Sequence, residues 1–270
     1  CSQPPNSHSS PSKQPRMQLF YKQYGADQPP LIILHGLLGA HGNWHTLSRN
    51  VFSEHATVYA IDQRNHGRSP HADTIDYPSM AADLKAFAEE HDLSDVTVLG
   101  HSMGGKTAME AALRYPDLID QLVVVDIAPR AYSPNHQALI NALRSIDPTE
   151  YDSRSDIDDV LTEDVPSWPI RQFLLKNLDY NDGAYHWMPN LSAIDAHYDA
   201  LVGPVEADGR YTKPTLFVRG GGSNYITNGD WPGIQERFPN ATLVTIPDAG
   251  HWVHAEAPDE LSEAVIRFLA

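Results

Sequence analysis

The chain has 270 residues, with 35 acidic against 19 basic side chains and a formal net charge of −16 at pH 7. That balance argues against a phosphate-gripping surface for nucleic acid or anionic membrane, which needs clustered Lys and Arg, and no apolar run approaches the roughly 18 residues that span a bilayer. The single cysteine, Cys1, excludes an intrachain disulfide and a cysteine-based metal cluster, and the length suits one α/β domain with an insertion or two modest domains.

Residues 1–16 form a Ser/Pro/Asn/Gln segment too polar to bury and too proline-rich for a helix, so they read as a disordered tether. A cysteine ahead of such a tether resembles a mature bacterial lipoprotein whose Cys1 carries the lipid, which implies a membrane tether and a cell-envelope location. A Met-Cys start trimmed by an aminopeptidase is the competing reading and leaves the protein cytoplasmic.

The folded part begins near Met17. Met17 to Tyr24 and Leu31 to His35 read as strands around a Gly25/Pro29-Pro30 turn, and the second is an unbroken apolar run suited to a strand covered on both faces. It ends in His35-Gly36-Leu37-Leu38-Gly39. In a serine hydrolase such a loop turns one backbone N–H toward a developing oxyanion, and the residue after the nucleophile supplies a second. By position these donors are Leu37 and Met103. A helix with Trp44, Leu47 and Val51 on one face follows, then a strand from Thr57 to Ile61, a turn Asp62 to Ser69, and an amphipathic helix from Tyr77 to His91. His35, His41, His45 and His66 show neither the H-E-x-x-H pattern of a zinc protease nor a CxxC partner, so they are expected to pack loops and no metal is expected.

The segment Val96-Thr97-Val98-Leu99-Gly100-His101-Ser102-Met103-Gly104-Gly105 organises the whole chain. A β-rich run breaks at Gly100, passes through one serine and continues as a helix, which is a nucleophile elbow with the serine lifted above the sheet. Ser102 is the candidate nucleophile. The next strand, Gln121 to Asp126, ends in a carboxylate on the edge where open α/β sheets build their active sites. After the following strand, Thr215 to Arg219, where this kind of fold usually keeps its acid, the chain reads Gly220-Gly221-Gly222-Ser223-Asn224 and offers no carboxylate before Asp230. Asp126 is therefore the candidate acid, with Asp230 and Asp248 as the fallbacks.

Between Ala131 and Val202 the strand–helix alternation stops, and helices are expected at Asn135–Ile146, Ser155–Thr162, Pro169–Leu178 and Asn190–Leu201. The reading is a helical lid over residues 131–202, inserted in a core made of 17–130 and 203–270. The last strand, Thr242 to Ile246, leads to Gly250-His251-Trp252-Val253-His254 and a terminal helix from Pro258. His251 completes the order Ser, acid, His and is the candidate general base. His254 is assigned to packing.

These residues resemble a known family. His35-Gly36-Leu37-Leu38-Gly39, Arg64-Asn65-His66-Gly67-Arg68-Ser69, Gly100-His101-Ser102-Met103-Gly104-Gly105-Lys106, Val125-Asp126-Ile127-Ala128-Pro129, Arg171-Gln172-Phe173-Leu174-Leu175-Lys176-Asn177-Leu178 and Gly250-His251-Trp252 together look like α/β-hydrolase esterases of the YbfF type. The resemblance covers residues 17 to 270. It implies an α/β-hydrolase fold, a mostly parallel central sheet flanked by helices with a helical lid after the sixth strand, and a triad acid on the strand after the elbow helix, which matches Asp126. The front end departs from that family, whose members are mostly cytosolic and lack a Cys-led tether.

The expected activity is a serine carboxylesterase acting on small-molecule esters with short to medium acyl chains, without a cofactor. Ser102, Asp126 and His251 are its catalytic residues, Leu37 and Met103 its oxyanion donors, and His101, Phe173, Trp187 and Trp252 its substrate contacts. Thioesterase, lactonase, C–C hydrolase and perhydrolase chemistry use the same triad and remain open, as does a non-catalytic receptor on the same fold.

Overall fold

A computed structural model describes residues 17–270, so the tether and the reading of Cys1 lie outside the described residues. The chain runs β1 (Tyr21–Tyr24), β2 (Pro30–Leu34), α1 (His45–Asn50), β3 (Thr57–Ile61), α2 (Tyr77–Glu90), β4 (Val96–His101), α3 (Met103–Arg114) and β5 (Ile119–Val125). An insert follows, made of α4 (Gln137–Arg144), α5 (Arg154–Asp164), α6 (Trp168–Leu175), β6 (Leu178–Asn181), β7 (Ala184–Trp187), α7 (Leu191–Ala196) and α8 (Tyr198–Val202). The chain ends with β8 (Thr215–Gly220), α9 (Trp231–Arg237), β9 (Ala241–Ile246), α10 (Val253–Glu256) and α11 (Pro258–Leu269).

Seven strands form one sheet in the order β1-β3-β2-β4-β5-β8-β9. Only β1 runs antiparallel to its neighbour. From β2 the chain steps outward to β3, then returns to lay β4 on the other side of β2 and continues in that direction. The strand order therefore reverses between β2 and β4, and the crevice outside their carboxyl ends is where such a sheet binds ligands.

The period of two along each strand distributes its side chains between two cores. Ile32, Leu34, Val98, Leu122, Val124 and Phe217 face one way and pack with Leu84, Phe87, Ala108 and Met109 of α2 and α3. Leu31, Ile33, Leu99, Val123, Val125 and Val218 face the other way and pack with Leu47, Leu261 and Val265 of α1 and α11. The unbroken apolar strands seen in the sequence thus have both faces covered. Helix α2 starts where expected, because the Asp76 carboxylate accepts the Ser79 N–H at 2.7 Å and Pro78 sits in the first turn.

The insert departs from expectation in three respects. It follows the fifth strand of the chain rather than the sixth, because the single strand β1 precedes β2. It is not all helical, since β6 and β7 form an antiparallel hairpin. Asp182 and Gly183 turn that hairpin with φ of 51° and 85°, a backbone that Asp-Gly adopts readily, and this dipeptide was the legible signal. The helix expected over Asn190–Leu201 is two short helices, α7 and α8, divided at His197, which leaves the helical region with φ −114° and ψ 17°. The insert has its own core, in which Ile140, Leu143, Leu161 and Ile194 pack with Leu38, Tyr77 and Met103 from the sheet's carboxyl edge. Among the described residues no helix is long and apolar enough to cross a membrane.

Candidate active site

The turn between β4 and α3 closes only because two side chains are missing. A Cβ at Gly100 would collide with the Gly104 carbonyl, and one at Gly104 with the carbonyls of Leu34 and His35. Ser102 at the apex has φ 52° and ψ −118°, a conformation L-residues avoid. Its own N–H is held by the Val125 carbonyl at 3.1 Å.

Three loops at the sheet's carboxyl edge converge here. Ser102 Oγ lies 3.0 Å from His251 Nε2, and His251 Nδ1 lies 2.8 Å from Asp126 Oδ2. Asp126 follows β5, is fully buried and has φ 51°. Its Oδ1 accepts the Gly220 N–H at 3.1 Å, and its Oδ2 accepts the Ser223 hydroxyl as well as the imidazole. The carboxylate is thus charge-competent while buried, because each oxygen has donors. The other two acids lie elsewhere: Asp230 pairs with Arg130 at 2.6 Å, and Asp248 is exposed.

The Leu37 N–H has no acceptor among the described residues, while its neighbour Leu38 donates to His66 Nε2 at 3.1 Å. Met103 is the first residue of α3, so its N–H has no partner inside the helix. Two free donors therefore flank Ser102. The loop that carries Leu37 is braced by histidines in fixed tautomers. His66 Nδ1–H donates to the Arg64 carbonyl at 3.0 Å, and His35 Nδ1–H donates to Gly36 at 2.8 Å while its Nε2 accepts the Gln63 N–H at 3.0 Å. Both rings must be neutral to accept. Burial holds His35 below its ordinary value against the opposing pull of Asp62, and drives His66 down to about 3.

Two more rings behave alike. His101 donates from Nε2 to the His251 carbonyl at 2.8 Å, and burial lowers it well below the usual range; burial also takes His254, stacked on Trp44, to about 4. An unfolded chain protonates these rings near 6.5, so it binds more protons than the folded one once the pH falls below that value. Stability is therefore full above about pH 6.5 and is lost progressively as the pH falls toward 3 to 4. The melting temperature should drop steadily across that window, and a flat profile from pH 7 to 4 would contradict the neutral-ring assignment. Among the described residues no group of three His, Cys, Asp or Glu side chains is arranged to hold a metal ion.

Two clefts meet at Ser102. The first is bordered by His251, His101 and Trp252 and, from the insert, Leu139, Ile170 and Phe173. The second is bordered by Leu37, Met103 and Lys106 and by the tyrosines Tyr77, Tyr132 and Tyr225. His251 borders only the first.

The sequence model for the alpha/beta hydrolase fold matches residues 29–158 and 166–258, most of the chain. The chain belongs to the α/β-hydrolase family. It is 40% identical over 250 residues to the zebrafish (Danio rerio) sn-1-specific diacylglycerol lipase ABHD11, covering 90% of this chain and 79% of that protein. It is 34% identical over 241 residues to esterase YbfF of Escherichia coli strain K12, covering 89% and 92%. A solved structure, a marine microorganism esterase, superposes with a TM-score of 0.91 at 43% identity, covering 93% of this chain and 99% of that one. The YbfF-type resemblance read from the motifs is thereby shown.

In this α/β hydrolase, His101, Phe173 and Trp252 all border the first cleft, with the Phe173 and Trp252 rings 5.8 Å apart. Trp187 does not join them. Its indole N–H donates to the Ile146 carbonyl at 3.2 Å and its ring packs in the insert's own core, which corrects its selection as a substrate contact. Two residues escaped the sequence reading. Tyr225 stacks on the His251 imidazole with centroids 3.8 Å apart and planes at 17°, and the Tyr132 hydroxyl pins its carbonyl at 2.6 Å. His136, from the start of the insert, borders both clefts. Neither carries a motif, because each is placed by a loop rather than by periodicity.

Proposed function

We propose that this hydrolase is a serine carboxylesterase for short to medium acyl esters, with Ser102 as nucleophile. The hydrogen-bonded chain Ser102–His251–Asp126, at 3.0 and 2.8 Å, carries the reading. His251 Nε2 takes the hydroxyl proton as Ser102 Oγ attacks the ester carbonyl carbon, and Asp126 holds the tautomer and offsets the charge of the imidazolium. The tetrahedral oxyanion is met by the Leu37 and Met103 N–H groups. His251 then returns the proton to the leaving alkoxide, and an acyl-enzyme remains. Water, deprotonated by the same imidazole, releases the acid and restores Ser102, so one ester and one water give one acid and one alcohol.

The two clefts divide the substrate. A leaving oxygen must lie within hydrogen-bond reach of His251 to be protonated, and His251 borders only the first cleft. The alcohol half therefore belongs in that apolar cleft and the acyl half in the second, with residues 131–202 acting as the lid over both. The second cleft is enclosed by bulky side chains, Tyr77, Tyr132, Tyr198 and Tyr225 among them, which limits acyl length. With a graded p-nitrophenyl ester series, kcat/KM should peak between acetate and hexanoate and fall beyond. A steady rise toward long-chain emulsions would move the reading to a lipase, the activity in the name of the zebrafish relative.

A further inference from the structure

The acyl cleft has a feature that a purely hydrocarbon pocket would not tolerate. Lys106, one turn along α3 from Ser102, is only 1% exposed and borders the cleft. Its ammonium donates to the Val202 carbonyl at 3.4 Å and to the Gly203 carbonyl, and it lies over the rings of Tyr132 and Tyr77 at 4.7 and 5.4 Å from their centroids. Two of its three N–H groups are thus accounted for. Among the described residues no carboxylate lies within ion-pair distance of it. A buried ammonium without a counter-ion is costly, so it holds its proton weakly until an anion is brought to it.

Resting on the esterase reading, we propose that Lys106 is a carboxylate-binding residue, and that the preferred substrates are half-esters of short dicarboxylic acids, whose free carboxylate reaches Lys106 while the ester carbonyl sits at Ser102. The cleft's chemistry fits such an acyl group. Tyr77 and Tyr132, which border the cleft, have their hydroxyls bound to the Leu201 and Tyr225 carbonyls, so Lys106 is the cleft's group able to meet a carboxylate. Burial, helped by the nearby positive charge of Arg130, pulls Lys106 down to about 7. A carboxylate entering the cleft reverses that pull by supplying the missing charge, so the pair forms a charge-assisted hydrogen bond in a dry site. A methyl group in the same place leaves the ammonium uncompensated.

The test compares p-nitrophenyl hemisuccinate with p-nitrophenyl pentanoate, acyl groups of similar length that differ in the terminal carboxylate. The wild-type protein should favour the hemisuccinate by about tenfold or more in kcat/KM, the scale of one hydrogen bond to a charged group. In Lys106→Met with a cooperative melting curve, that ratio should fall at least tenfold. A wild-type preference for pentanoate, or an unchanged ratio in a folded Lys106→Met, overturns the proposal. Calorimetric binding of succinate to the wild-type protein, weakened at least tenfold by Lys106→Met, decides it without turnover. Absence of succinate binding sinks the carboxylate site, while binding without hydrolysis of either ester sinks the esterase reading instead.

Discussion

Ser102→Ala should fold like the parent and lose turnover of p-nitrophenyl butyrate by a factor on the order of 10⁶ in kcat, the scale for removing an activated serine nucleophile. The hydroxyl's hydrogen bond is to His251 Nε2, so its loss leaves the packing intact. The strained backbone at φ 52° is set by the Gly100 and Gly104 contacts and by the Val125 carbonyl, none of which involves the side chain. The wild-type protein should also show a burst of nitrophenolate equal to its active-site concentration, and the variant none. A folded Ser102→Ala that kept more than a few per cent of wild-type kcat would remove the serine mechanism.

What the sequence made legible follows from how each feature is encoded. The elbow was readable because its sterics demand glycine at 100 and 104 on either side of one serine, and local sterics leave a local pattern. The parallel strands were readable because burial on both faces makes them continuous apolar runs. The hairpin Leu178–Trp187 was hidden, since two four-residue strands in a largely exposed setting carry little periodicity and only Asp182-Gly183 marked the turn. Trp187 was misplaced for a related reason. Aromatic content of a lid does not tell which rings face the cleft and which face the insert's own core, and only the hydrogen bond to Ile146 separates the two. Tyr225 and Lys106 meet the site through contacts spanning distant parts of the chain, to His251 and to Val202 and Gly203, which no local pattern encodes.

Asp126→Asn should fold normally and lose about 10⁴-fold in kcat, the scale seen when a triad aspartate becomes an amide. The positive φ of 51° at this position is one that Asn tolerates, so the backbone is not the reason. Chemistry is. The carboxylate accepts from Gly220 on one oxygen and from Ser223 and His251 on the other. In the variant the Gly220 N–H holds the amide oxygen, which turns the NH₂ group toward Ser223 and His251. His251 Nδ1 must then accept rather than donate, its proton moves to Nε2, and the atom facing Ser102 can no longer take the hydroxyl proton. Ser223→Ala, which removes one of several donors to Asp126, should cost about tenfold at most, the equivalent of one hydrogen bond. Asp230→Asn and Asp248→Asn should leave kcat within about twofold, because Asp230 serves Arg130 and Asp248 faces solvent. Near-normal turnover in a folded Asp126→Asn, or a comparable collapse in either of the other two, would reassign the acid.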